Sequence, residues 1–102
     1  MIIIRTRNKG YKDYGVTDEE KEIVVAYCRS DDESKEQIIS CAMSELDPYI
    51  AQFLIMNLTQ GISYEKLYAK YDIAMAKEDF YAYRRKAVAA IKRYMLLFGY
   101  LI

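Results

Sequence analysis

Gly61-Ile62-Ser63-Tyr64-Glu65-Lys66-Leu67, and after a short connection Met75-Ala76-Lys77-Glu78-Asp79-Phe80-Tyr81-Ala82-Tyr83-Arg84-Arg85-Lys86-Ala87-Val88-Ala89-Ala90-Ile91, is the stretch that decides the fold. Ser63 is a helix N-cap residue, because its hydroxyl can accept from first-turn N–H groups that have no partner inside the helix. The short helix it opens carries Tyr64, Leu67, Tyr68 and Tyr71 at helical spacing. A turn is expected over 72–76. Beyond it, from Lys77 to Leu97, Phe80, Tyr83, Ala87, Ala90 or Ile91, Tyr94, and Leu97 or Phe98 recur with the period of a helix that packs one face. Lys77, Tyr81, Arg85 and Lys92 lie on another face, flanked by Arg84, Lys86 and Arg93. A short capped helix, a connection and a longer basic helix are the parts of a helix-turn-helix.

Upstream, three helix starts can be read. Thr17-Asp18-Glu19-Glu20 is a capping box for a helix to about Arg29 with Ile23, Val24 and Tyr27 as its apolar stripe. Ser30-Asp31-Asp32-Glu33 repeats the signature and predicts a second helix through Ile38, Ile39, Ala42, Met43 and Leu46. Asp47-Pro48 sets an aspartate cap before a proline at the first helical position. The helix it opens, to about Thr59, is apolar nearly all round, which points to the centre of the fold. Gly61 stands where a C-terminal cap glycine belongs. Residues 1–16 have no helical period and read as an extended arm or a single edge strand. Gly99 closes the last helix, and Tyr100-Leu101-Ile102 is an apolar tail that either folds back on the core or joins two copies of the chain. The expectation is one all-α domain over 1–102. It consists of an arm (1–16), two acid-capped helices (17–46), and a central helix with the helix-turn-helix and tail (47–102), about five helices in a compact bundle.

Composition removes several classes of function. Histidine is absent, which excludes histidine general bases, Ser-His and Cys-His pairs, zinc fingers and HExxH sites. No phosphate-binding or dinucleotide glycine pattern occurs. The reading is therefore of a chain that is not an enzyme and needs no cofactor or metal. Cys28 and Cys41 have no metal spacing and read as reduced, partly buried thiols. The apolar start Met1-Ile2-Ile3-Ile4 is too short for a signal core or a membrane span, so the expected setting is cytoplasmic, with no membrane partner.

The formal net charge is zero, but the charges are polarised. Residues 1–12 carry Arg5, Arg7, Lys9 and Lys12 without an acid; residues 13–47 hold eleven acids against three cations; from Phe80 onward there are five cations and no acid. Many of the acids sit in first helical turns, where they complement the helix dipole. Basic residues gathered on one helix beyond a capped short helix suit contact with nucleic-acid phosphates, while polar residues at its start suit base edges.

Gly61–Leu67 followed by Asp79-Phe80-Tyr81-Ala82-Tyr83-Arg84-Arg85-Lys86-Ala87-Val88-Ala89-Ala90-Ile91 resembles region four of bacterial sigma factors. It is more similar still to the C-terminal domain of ArpU/RinA-type phage transcriptional regulators, over roughly residues 47–93. The resemblance implies promoter DNA as the partner of the second helix of the motif, with Lys77, Glu78, Tyr81, Ala82 and Arg85 facing it and Met75, Phe80, Ala87 and Ile91 packing inward. The DNA-binding set expected from the residues and the resemblance together is Ser63, Tyr64, Lys77, Tyr81, Arg84, Arg85, Lys86 and Lys92. A homodimer through the tail, and RNA polymerase or another protein, are the further partners this reading admits. A phage packaging subunit is a related DNA-binding alternative. The arm Arg5-Thr6-Arg7-Asn8-Lys9 is a second possible DNA contact, through a minor groove. The alternative from a different class is a small helical interaction module, an adaptor or inhibitor, using the acidic stretch or the apolar tail and binding no DNA.

Overall fold

The computed structural model describes residues 9–100 and 102. Five helices follow one another: α1 (Asp18–Cys28), α2 (Lys35–Met43), α3 (Pro48–Gln60), α4 (Tyr64–Tyr71) and α5 (Lys77–Leu97). There is no strand among the described residues. The architecture is an all-α bundle, and no described helix is long and apolar enough to cross a membrane.

The local signals work as their chemistry requires. Thr17 Oγ1 accepts from the Glu20 N–H at 3.1 Å and Glu20 Oε1 accepts from the Thr17 N–H at 2.9 Å, closing the capping box of α1. Asp47 Oδ1 accepts from the Tyr49 N–H at 2.8 Å, with Pro48 beginning α3. α3 ends on Gly61 at φ 70°, a left-handed position where a side chain would be strained. Ser63 Oγ accepts from the Lys66 N–H at the start of α4.

Three expectations are corrected. The second helix starts at Lys35, not beside Ser30, and ends at Met43, not Leu46. Ser30 Oγ instead donates to the Tyr27 carbonyl at 2.7 Å and finishes α1. Asp32 organises the link, accepting from the Ser34 N–H at 2.8 Å and from the Tyr100 hydroxyl. At the other end the chain tightens, with Glu45 N–H on the Ala42 carbonyl and Leu46 N–H on the Met43 carbonyl, before Asp47-Pro48 resets it. Of the arm, residues 1–8 lie outside the described residues, and with them most of the expected minor-groove contact. Residues 9–16 are not extended: Tyr11–Tyr14 is a 3-10 turn, bridged by the Gly10 N–H on Asp13 Oδ2 and ended by Gly15 at φ 73°. It lays Tyr11 and Tyr14 on the core and buries Val16.

The third correction concerns the centre. The apolar composition of α3 points to a central helix, but α5 holds that place, packing against α1, α2, α3 and the 3-10 turn. Ala82, Ala87, Val88, Ala89, Ala90, Ile91 and Met95 are all buried, and they project in every direction around the axis. Small side chains let several helices approach one helix closely. Periodicity marks one face and cannot show this. α3 buries Ala51, Phe53, Leu54, Asn57 and Leu58, while Ile50, Ile55 and Met56 are only partly covered. The tail folds back in part: the Tyr100 ring meets Tyr27 edge-on at 5.3 Å. Leu96, Leu97 and Phe98 stay exposed, Leu97 at 77%.

Candidate nucleic-acid interface

α4 and the start of α5 are joined by a turn that is pinned rather than loose. Asp72 takes a left-handed conformation at φ 52° and ends α4. Ile73 and Leu67 are buried beneath it with Phe80. The Ala74 N–H donates to the Tyr49 hydroxyl at 2.9 Å, and the Tyr64 hydroxyl donates to the Met75 carbonyl. The Tyr64 ring sits 5.5 Å from Phe80 and stacks on Tyr68 at 5.9 Å. Ala76 caps α5 without a side-chain hydrogen bond, so tertiary contacts, not a cap, hold the relative placement of the two helices.

The eight residues expected to meet DNA separate into two groups. Lys77, Tyr81 and Arg85 are brought together: with Glu78 they line an open depression of about 530 Å³ on the first turns of α5. Lys77 Nζ pairs with Glu65 Oε2 at 2.6 Å, with both side chains more than half exposed. That contact raises the Lys77 pKa and lowers that of Glu65, chiefly through the hydrogen bond between them. The Tyr81 ring braces edge-on against Phe80 at 5.4 Å. Arg85 Nε donates to the Lys9 carbonyl at 2.7 Å.

The other group is used differently. Arg84 turns inward: its Nε donates to Asn57 Oδ1 at 2.6 Å and its NH1 to the Tyr11 hydroxyl at 3.1 Å. Asn57 is the buried polar residue of the core and also donates to the Ile62 carbonyl at 2.9 Å. Lys92 pairs with Glu20 at 2.9 Å and donates to the Gly15 carbonyl at 2.8 Å, both side chains being mostly covered. The Glu20 pKa is lowered, first by the Thr17 backbone N–H and then by Lys92. Ser63 caps α4, and the Tyr64 hydroxyl is spent inside the turn, so both position the motif. Lys86 is exposed but lies away from the depression, near Glu45, whose carboxylate pairs with Arg93 at 2.6 Å.

Lys9, expected in a separate minor-groove arm, lies instead beside Arg85. Its carbonyl holds Arg85 and its ammonium lies 5.8 Å from the Tyr14 ring centre. That position depends on the 3-10 turn, and no local pattern announces it. Cys28 is buried, and burial pushes its thiol up to about 11, so it is unreactive at neutral pH. Comparison with family models, curated proteins and solved structures finds no match to this chain.

Proposed function

We propose that the protein binds duplex DNA through α4 and α5 and acts as a transcriptional regulator of the phage or prophage type. The observation that carries this reading is the placement of Lys77, Tyr81 and Arg85. They share one face at the start of a helix whose middle, residues 87–91, is buried. Lys77 and Arg85 supply charge to phosphates, and Tyr81 offers a ring and hydroxyl to base or sugar. α4 lies beside them as the first helix of the motif, with its capped N-terminus free to approach the backbone. Leu96, Leu97 and Phe98 offer an apolar surface to a second copy, which would pair two motifs on two half-sites. RNA polymerase is a further partner in this reading.

A mobility-shift titration over salt tests it. Binding should weaken linearly on a log–log plot, with a slope of roughly −0.9 per phosphate neutralised. The double variant Tyr81→Ala, Arg85→Glu should abolish the shift and keep the helical circular-dichroism spectrum. Arg84 is unsuitable for this test because its loss strikes the core. Undiminished binding by the double variant would remove α5 from the interface.

A second reading, an interaction module without DNA binding, is favoured by the open groove between α2 and α3. The groove is about 650 Å³ and lined by Ile39, Met43, Leu46, Ala51 and Ile55 among others. A folded protein with no duplex affinity at low salt would select it.

A further inference from the structure

On the flank of α1 lies an open depression of about 420 Å³ in which three cations converge: Lys21, Arg29 and Arg84. Lys21, Val25 and Arg29 follow at four-residue spacing, so they share one side of the helix, and Val25 forms the floor between the two charges. Arg84 enters from α5. Glu22 is the only acid among the described residues lining the depression, and Lys21, Arg29 and Arg84 form no ion pair with a described acid.

The two arginines are held rather than free. Arg29 Nε donates to the Leu58 carbonyl at 3.3 Å, and Arg84 Nε donates to Asn57 Oδ1 at 2.6 Å, so both are anchored on adjacent residues of α3. Arg84 is fixed further by the Tyr11 hydroxyl. Lys21 lies against the same ring, its ammonium 5.4 Å from the Tyr11 centre. Capping the end of α3 explains the Nε of Arg29, and the buried Asn57 side chain explains that of Arg84. These contacts do not explain why two like charges and a third line one hollow. Like charges brought together are unfavourable unless an anion joins them. Guanidinium groups already fixed at Nε lose little further freedom when they take one.

We infer that Lys21, Arg29 and Arg84 form a binding site for a phosphate group, separate from the Lys77–Tyr81–Arg85 face. The phosphate belongs either to a nucleic-acid backbone or to a free phosphorylated small molecule. The inference does not depend on DNA binding by α5.

The test is an amide NMR titration of the full chain with sodium phosphate, set against sodium chloride at matched ionic strength. Saturable shifts at Lys21, Val25 and Arg29 with phosphate alone are expected. Lys21→Gln with Arg29→Ala should weaken that response on the order of tenfold or more, the loss of about one charged hydrogen bond. Should the double variant fold poorly, Lys21→Gln alone, which breaks no backbone hydrogen bond, must still weaken it. Identical shifts with chloride, or an undiminished response in the folded variant, overturn the site. The source is read with a short duplex. A salt slope shallower by about one in the variant assigns a backbone phosphate. Lost phosphate binding with an unchanged slope, or with no duplex binding by the parent at all, assigns a free phosphorylated molecule.

Discussion

Residues 77–86 and 87–95 are consecutive parts of one helix, yet the first is buried on one side, at Phe80 and Ala82, and the second nearly all round. The first part keeps Lys77, Glu78 and Lys86 in water and half-covers Tyr81 and Arg85. The second buries Ala87, Val88, Ala89, Ala90, Ile91 and Met95. The change falls at two adjacent arginines. Arg84 gives its Nε and one terminal nitrogen to Asn57 and Tyr11, while Arg85 gives its Nε to the Lys9 carbonyl. Adjacent helical positions are about 100° apart, so one residue of sequence separates an arginine tied to the buried Asn57 from one tied to the Lys9 carbonyl. Identical chemistry on a helix does not imply identical work.

The largest effect should come from the buried part. Ile91 is fully buried, and Ile91→Ala should cost about 2–5 kcal/mol through lost burial and a residual cavity. Urea denaturation reads this, and the folded fraction should bind its partner as the parent does. A loss below the lower bound would mean that α5 is less central than its burial indicates.

The adjacent arginines sharpen the contrast. Arg84→Ala leaves Asn57 Oδ1 buried without its donor and should cost about 1–3 kcal/mol. Arg85→Ala should stay within about 0.5 kcal/mol of the parent in stability while weakening duplex binding on the order of tenfold or more. Thermal unfolding and mobility shift on both variants decide this; equal losses of stability would erase the distinction between the two positions.

A smaller effect is expected in acid. Glu20, held by the Thr17 N–H and Lys92, titrates below its ordinary value near 4.5. A carboxyl whose folded pKa is depressed stabilises the fold above its unfolded value and loses that contribution as pH falls through the folded one. Glu20→Gln should therefore flatten part of the decline in urea midpoint on acidification and change nothing in its shape near neutrality. A parent and variant that decline in parallel would show that the contact with Lys92 is not felt in solution.

The smallest effect on stability belongs to Lys77. Its ion pair with Glu65 is solvent-exposed, and such pairs contribute little. Lys77→Ala should leave the Tm unchanged within error and weaken duplex binding. A clear drop in Tm would make Lys77 a structural residue like Arg84.

The bundle was largely legible because its punctuation is local. Thr17 with Glu20, Asp47 with Pro48, Gly61 and Ser63 satisfy helix-end groups within four residues of themselves, so they are readable without knowing the fold. Ser30 misled because two uses of the same hydroxyl compete, and the Tyr27 carbonyl won. In the candidate interface, Lys77, Tyr81 and Arg85 follow a spacing that helical geometry dictates. The intramolecular partners of Arg84 and Lys92 were not legible for the opposite reason: Tyr11, Asn57 and Glu20 lie 27 or more residues away.

What the sequence alone determined was therefore the set of helices, the caps of α1, α3 and α4, and which residues of α5 share a face, since each depends on neighbours one turn apart. Only the tertiary structure decided that α5 and not α3 is the centre, that residues 11–14 coil onto it, and which of two neighbouring arginines is tied to Asn57. Those outcomes depend on how closely distant helices approach, and alanines permit that approach without encoding its direction.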